Sequence, residues 1–260
     1  MYFAKYGTGE SVIVGLHGWS GDRRTFDPLM THLPPGISFY SFDVPGSGNS
    51  PPPAKWQMNS IVSQIGEILM TVAPCCITLI GSCSGGLLCL FLAKHLAHTA
   101  TVTKINRIVL LDPYAYLPWY FQAFVAPQMG KIGWYAYYTT FANPVGRWLT
   151  NLSLHKRRTK NAHLTNSFAA VNHQAVYQQL KLLSESGAAE QFRGLTLPID
   201  ILYGEHTFAA VKDSVKRWKE IFPQANCYAL KNAGHLPLEE ATEQVATILF
   251  QQNVENCYES

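Results

Sequence analysis

Between residues 79 and 86 the chain reads Leu79-Ile80-Gly81-Ser82-Cys83-Ser84-Gly85-Gly86. An apolar strand-like run enters a turn of small residues, and an apolar helical pattern leaves it. This is the pattern of a nucleophile elbow, in which the tip residue sits in strained backbone and small residues two before and two after it keep the turn free of clashes. Gly81 and Gly85 hold those two places around Cys83. Ser84, flanked by Ser82 and Gly86, is the alternative tip, but the Gly85-Gly86 pair then falls one residue early for the helix start. Cys83 is the expected nucleophile.

Short apolar or β-branched runs recur on both sides of the elbow, at Val12–Leu16, Ile37–Phe42, Ile77–Ile80, Ile108–Leu111, Ile199–Tyr203 and Asn226–Leu230. Each ends in turn residues and most lead into a helical pattern, the alternation of a parallel sheet covered by helices. Such strands are buried on both faces and read as continuous apolar runs. Ligands then gather at their carboxyl ends. Between Asp112 and Pro198 the alternation stops for longer than a connection allows, so this stretch carries helices of its own. It is rich in aromatics, among them Trp119, Tyr120, Phe121, Trp134, Tyr138 and Trp148. Most are expected to form the private core of a helical insertion. Trp119, Tyr120, Trp134 and Tyr138 are expected to line a closed apolar pocket beneath it.

With 260 residues, 47% hydrophobic and 14% charged, the chain has the composition of a globular α/β protein with a large core. A net charge of +3 gives no footprint for nucleic acid. Cys75, Cys76, Cys83, Cys89, Cys227 and Cys257 show neither paired zinc spacing nor the density of a disulfide scaffold. Met1-Tyr2-Phe3-Ala4-Lys5 has none of the regions of a signal peptide, and a cytoplasmic location is the expectation. The uncharged stretch from Ile68 to Ala93 is long enough to cross a bilayer, but small and polar residues interrupt it, and a buried strand followed by a buried helix explains the same run. The basic concentration Lys156-Arg157-Arg158, with His155, Lys160 and His163 nearby, reads as a solvated helix face or as a docking edge for an anionic group. Arg23-Arg24 is a smaller instance.

Four motifs follow successive strand ends: His17-Gly18-Trp19, then Asp43-Val44-Pro45-Gly46-Ser47-Gly48, the Cys83 elbow, and Asn232-Ala233-Gly234-His235 after the last strand. In this combination and order the chain resembles the α/β-hydrolase superfamily, in the subset with a helical cap. The resemblance implies a core over residues 1–112 and 196–260 with a cap over 113–195. It implies Cys83 as nucleophile and His235 as its base, with the main-chain N–H groups of Trp19 and Ser84 as oxyanion hole. His17 is expected to brace the loop without transferring protons. The acid departs from the family's pattern. After the strand Ile199–Tyr203 the chain has Gly204-Glu205-His206-Thr207, where the family places aspartate. Asp112, at the end of the preceding strand, is the expected substitute, with Glu205 or Asp213, or no acid at all, as alternatives. A thiol ionises more readily than a hydroxyl, so a Cys-His dyad is chemically adequate.

At the elbow alone the chain is similar to dienelactone hydrolases and polyhydroxyalkanoate synthases. The expected activity is hydrolysis of an ester or thioester of an apolar acyl group through an acyl-cysteine, with coenzyme A or an acyl carrier protein as carrier and no metal or organic cofactor. Acyl transfer, or ligand binding without catalysis, are the alternatives.

Overall fold

The computed structural model describes residues 1–73, 76–99, 103–154 and 165–255. Seven strands form one sheet in the order β1-β3-β2-β4-β5-β6-β7. They are β1 (Phe3–Tyr6), β2 (Ser11–Leu16), β3 (Ile37–Phe42), β4 (Cys76–Ser82), β5 (Lys104–Leu111), β6 (Ile199–Gly204) and β7 (Asn226–Leu230). Only β1 is antiparallel to its neighbour, and the other pairs run parallel. All six runs expected from the sequence are strands. β1 escaped that reading because a four-residue, half-buried edge strand is too short to show a period.

The strands read as apolar throughout because both faces are covered. Helices α1 (Asp27–Met30), α9 (Pro237–Glu240) and α10 (Thr242–Glu255) pack on one face, over Ile13, Phe39, Ile80 and Leu111. Helices α2 (Met58–Val72), α3 (Ser84–Ala97) and α8 (Ala209–Ile221) pack on the other, over Leu16, Phe42, Leu79 and Leu110. The uncharged run from Ile68 to Ala93 is thus the end of α2, then β4 and most of α3. No described helix is long and apolar enough to cross a membrane. A charged staple crosses the interior: Arg107 on β5 meets Asp200 on β6 at 2.6 Å and donates to the carbonyls of Ile248 and Leu249 in α10.

Between β5 and β6 the chain forms α4 (Trp119–Val125), α5 (Gly130–Tyr137), α6 (Pro144–Leu154) and α7 (His173–Ser184), with a π turn at Tyr138–Ala142 extending α5. These helices have their own core of Val125, Tyr137, Phe141, Phe168, Val176 and Leu180, with Phe121, Phe124 and Trp134 packed against it. The basic run at Lys156-Arg157-Arg158, with His155, Lys160 and His163, lies outside the described residues.

Candidate active site

Cys83 stands between β4 and α3 with φ +52° and ψ −117°, a conformation that costs a non-glycine residue on the order of 1–3 kcal/mol. Its own N–H anchors it by donating to Leu111 O at 2.8 Å. The turn is too tight for side chains on either flank. A Cβ on Gly81 would lie 2.5 Å from the Gly85 backbone, and one on Gly85 would lie 2.1 Å from Leu16 O. Ser84 is the first residue of α3 and does not occupy the tip.

Asp112 ends β5 in left-handed backbone, φ +46°, and is 1% exposed. Its carboxylate is held from three sides. Gly204 N–H donates to Oδ1 at 2.8 Å, while His235 Nδ1 lies 2.8 Å from Oδ2 and the Thr207 hydroxyl donates to the same Oδ2. Thr207, where the family pattern has an acid, therefore donates to the Asp112 carboxylate. The Cys83 side chain neighbours the His235 ring. Cys83, His235 and Asp112 thus come together at the ends of β4, β7 and β5, with His235 hydrogen-bonded to Asp112. Burial works to lower the ring's pKa, but the bonds and charges of Asp112 and Cys83 outweigh it and raise it to about 10. Glu205 and Asp213, the other candidate acids, lie elsewhere: Glu205 accepts the Asn232 N–H at 3.2 Å, and Asp213 pairs with Lys216 on α8.

The loop bearing His235 is seated closely. Glu240 accepts the N–H groups of Gly234 at 2.6 Å and Leu236 at 3.4 Å, and the chain beyond the loop breaks at Ala241 between α9 and α10. A Cβ on Gly204 would lie 1.9 Å from Gly234 O, so the loops after β6 and β7 meet through glycine. Tyr114 and Phe208 flank the His235 ring, with centroids 5.7 and 5.0 Å away.

The loop after β2 lies against Cys83: a Cβ on Gly18 would be 2.9 Å from Cys83 Cβ. His17 is 2% exposed and accepts the Val44 N–H on Nε2 at 3.0 Å. The proton therefore sits on Nδ1, which donates to Gly18 O at 2.8 Å. Burial keeps this ring's pKa below its usual value, as suits a neutral brace between the loops after β2 and β3. Trp19 and Ser84 both border the cavity at Cys83. The Trp19 indole donates to Val176 O at 2.8 Å and packs edge-on against Phe121, Phe141 and Phe168.

A cavity of about 330 Å³ opens at Cys83 between the sheet and the helical insertion. Its apolar walls include Leu87, Tyr114, Leu117, Phe121, Leu180 and Leu183, and Glu190 and Arg217 border it too. The four aromatics expected to line it are elsewhere. Trp119, Tyr120 and Tyr138 are 78%, 38% and 48% exposed, and Trp134 stacks on Tyr137 at 5.6 Å within the insertion's own core. On α4 the cavity takes Phe121, and at about 100° per residue Trp119 and Tyr120 point away from it. Tyr120 still neighbours Tyr114, which flanks the His235 ring. Sequence reasoning missed Leu117 and Phe121, and the pair Leu180 with Leu183, whose i, i+3 spacing on α7 was the available signal.

Of the other cysteines, Cys89 is fully buried, and burial pushes its thiol well above its usual pKa. Among the described residues no group of three His, Cys, Asp or Glu could hold a metal ion.

Residues 13–248 match the sequence model of the Alpha/beta hydrolase family. A pimeloyl-acyl-carrier protein methyl ester esterase of Neisseria meningitidis serogroup A is 28% identical over 144 residues, 54% of this chain and 43% of that protein. Lipase LipV of Mycobacterium tuberculosis is 30% identical over 114 residues, 44% of this chain and 41% of that protein. The matches therefore span about half the length of these curated relatives or less. Among solved structures, a thermophilic esterase from Thermogutta terrifontis superposes with a TM-score of 0.75 at 17% identity, covering 98% of this chain and 93% of that one. MenH from S. aureus gives 0.72 at 16% identity, covering 98% of each chain. At such identities these likenesses speak for the fold.

Proposed function

The chain belongs to the Alpha/beta hydrolase family, and on that footing we propose that it hydrolyses an ester or thioester of a largely apolar acyl group through an acyl-cysteine. The observation that carries this reading is Cys83 beside a His235 ring that is hydrogen-bonded to Asp112, with Gly204 and Thr207 holding the carboxylate. Such an arrangement meets the needs of nucleophile, base and orienting acid together. Its completeness argues against a binding protein without catalysis.

In the reaction, His235 takes the thiol proton and the Cys83 sulfur adds to the substrate carbonyl. The N–H groups of Trp19 and Ser84 receive the oxyanion. As the tetrahedral adduct collapses, His235 gives its proton to the departing alkoxide or thiolate, leaving an acyl-cysteine. His235 then draws a proton from water, whose oxygen adds to the acyl carbon. A second collapse releases the carboxylic acid and returns the proton to Cys83. The apolar walls of the cavity favour an aliphatic acyl group. By its name the Neisseria meningitidis relative acts on a methyl ester borne by an acyl carrier protein, which supports a carrier-borne or coenzyme A-borne acyl group as substrate here.

Intact-mass spectrometry during turnover of a butyryl ester and of butyryl-coenzyme A tests the reading. One acyl mass should appear on Cys83, persist longer in His235→Gln, and be absent with turnover lost in Cys83→Ala. Hydrolysis that survives Cys83→Ala would overturn it, and product carrying the acyl group on an added alcohol in preference to water would redirect it to acyl transfer.

A further inference from the structure

Helix α6 is inside out. Val145, Trp148, Leu149 and Leu152 fall at i, i+3, i+4 and i+7, which sets them on one face of the helix. That face points to solvent, the four side chains being 63%, 62%, 52% and 57% exposed. The polar residues between them turn to the protein. Arg147 donates to Phe141 O at 3.1 Å and Ala142 O at 2.8 Å, and Asn151 Oδ1 is buried with no hydrogen-bond partner among the described residues. The helix is fixed in this orientation by Gly146, where a Cβ would lie 1.9 Å from Thr139 O. A surface helix ordinarily does the reverse, polar side out. Helix α5 adds Ile132 and Tyr135 at i, i+3, 67% and 64% exposed. Exposed apolar clusters of this kind mark a surface that meets an apolar partner.

Charge narrows the partner. Between residues 113 and 184 the sequence has Lys131, Arg147, Lys181 and four further Lys or Arg between 156 and 160, the latter outside the described residues, and not one Asp or Glu. Two copies meeting through this insertion would bring like charges together, which opposes self-association. Aliphatic side chains and tryptophan on one face, in a stretch from 113 to 184 whose formal charges are all positive, match the boundary of an anionic bilayer. From these observations we infer that the exposed faces of α5 and α6 dock on an anionic lipid surface. Trp148, Leu149 and Leu152 enter the headgroup region while Lys131 stays at the phosphates. With 11 residues α6 is about 16 Å long, too short to span a bilayer, and it lies in the plane. Docking of this kind is a property beyond the hydrolysis proposed above and does not depend on it.

The test is co-sedimentation of the full chain with phosphatidylcholine vesicles and with phosphatidylcholine–phosphatidylglycerol vesicles. Binding is expected only where phosphatidylglycerol is present, weaker as salt is added. In Trp148→Ser/Leu152→Ser it should fall at least about tenfold, with melting temperature and hydrolysis of a short water-soluble ester unchanged. If that double variant melts below wild type, Leu149→Gln provides the same comparison. No binding to phosphatidylglycerol vesicles overturns the inference, as does equal binding by the variant, which would be adhesion by charge alone. It is also overturned if vesicles are ignored while the protein self-associates, or binds a purified acidic carrier protein, through the same side chains.

Discussion

Replacing Asp112 by asparagine removes a charge while keeping the shape, and the surroundings of this residue allow its effect to be worked out. The carboxylate faces three donors: Gly204 N–H on Oδ1 at 2.8 Å, and the Thr207 hydroxyl and His235 Nδ1 on Oδ2, the latter at 2.8 Å. Asparagine tolerates the left-handed backbone of this position, so the main chain need not move. It offers only one acceptor oxygen. With that oxygen toward His235, its NH₂ group opposes the buried Gly204 N–H, at a cost of about 1–3 kcal/mol. Turned the other way, the NH₂ group donates to His235 Nδ1 and drives the proton to Nε2, where it blocks uptake of the thiol proton. The corresponding loss of tautomer control is worth about 10²- to 10⁴-fold in kcat, nearer the lower figure here because a thiol ionises more readily than a hydroxyl. A stability loss of this size lowers the melting temperature by about 2–12 °C. Steady-state hydrolysis of a p-nitrophenyl ester, alongside a thermal melt, measures both. If Asp112→Asn keeps kcat within about threefold of wild type while Cys83→Ala is inactive, the carboxylate does not orient His235 and the reasoning fails.

Thr207→Val removes one donor from the buried Asp112 at nearly constant volume and should cost about 1.5–3 kcal/mol of stability with a smaller fall in kcat, whereas Thr207→Ser should restore both. Equal behaviour of the valine and serine variants would show that the hydroxyl is not what matters. Because the folded-state pKa of His235 is raised from 6.5 to about 10, its protonated form adds stability that is complete below about pH 6.5 and lost as pH rises through 10. The difference in urea stability between wild type and His235→Gln should therefore shrink across that window, and a constant difference would contradict the raised value.

The sheet was legible because parallel strands buried on both faces have to be written as apolar runs, and Ile13, Leu79 and Leu110 are all completely buried. Charge hid the rest: the first half of β5 contains Lys104 and Arg107, and nothing in the sequence tells that Arg107 is buried against Asp200. The elbow could be read from its glycines, whose missing side chains the turn demands. Thr207 could be read only as a missing acid. Its service to Asp112 depends on how closely the ends of β5 and β6 approach, which no local pattern records. The cavity walls were the least legible, since aromatic content attracts attention to Trp119 and Trp134 while rotation about a helix decides which side chain faces inward.

Trp19 takes part in two bodies at once, its main chain following Gly18 beside Cys83 and its indole tied to Val176 among the rings of Phe121, Phe141 and Phe168. The helical insertion is therefore no detachable door. A substitution in α7 that displaces the Val176 carbonyl therefore also bears on the segment beside the Cys83 sulfur, and is expected to change selectivity and turnover together. Grafting another protein's insertion onto this sheet would forfeit rate even where the new cavity fits, unless residue 19 and its ring of aromatics travel with it.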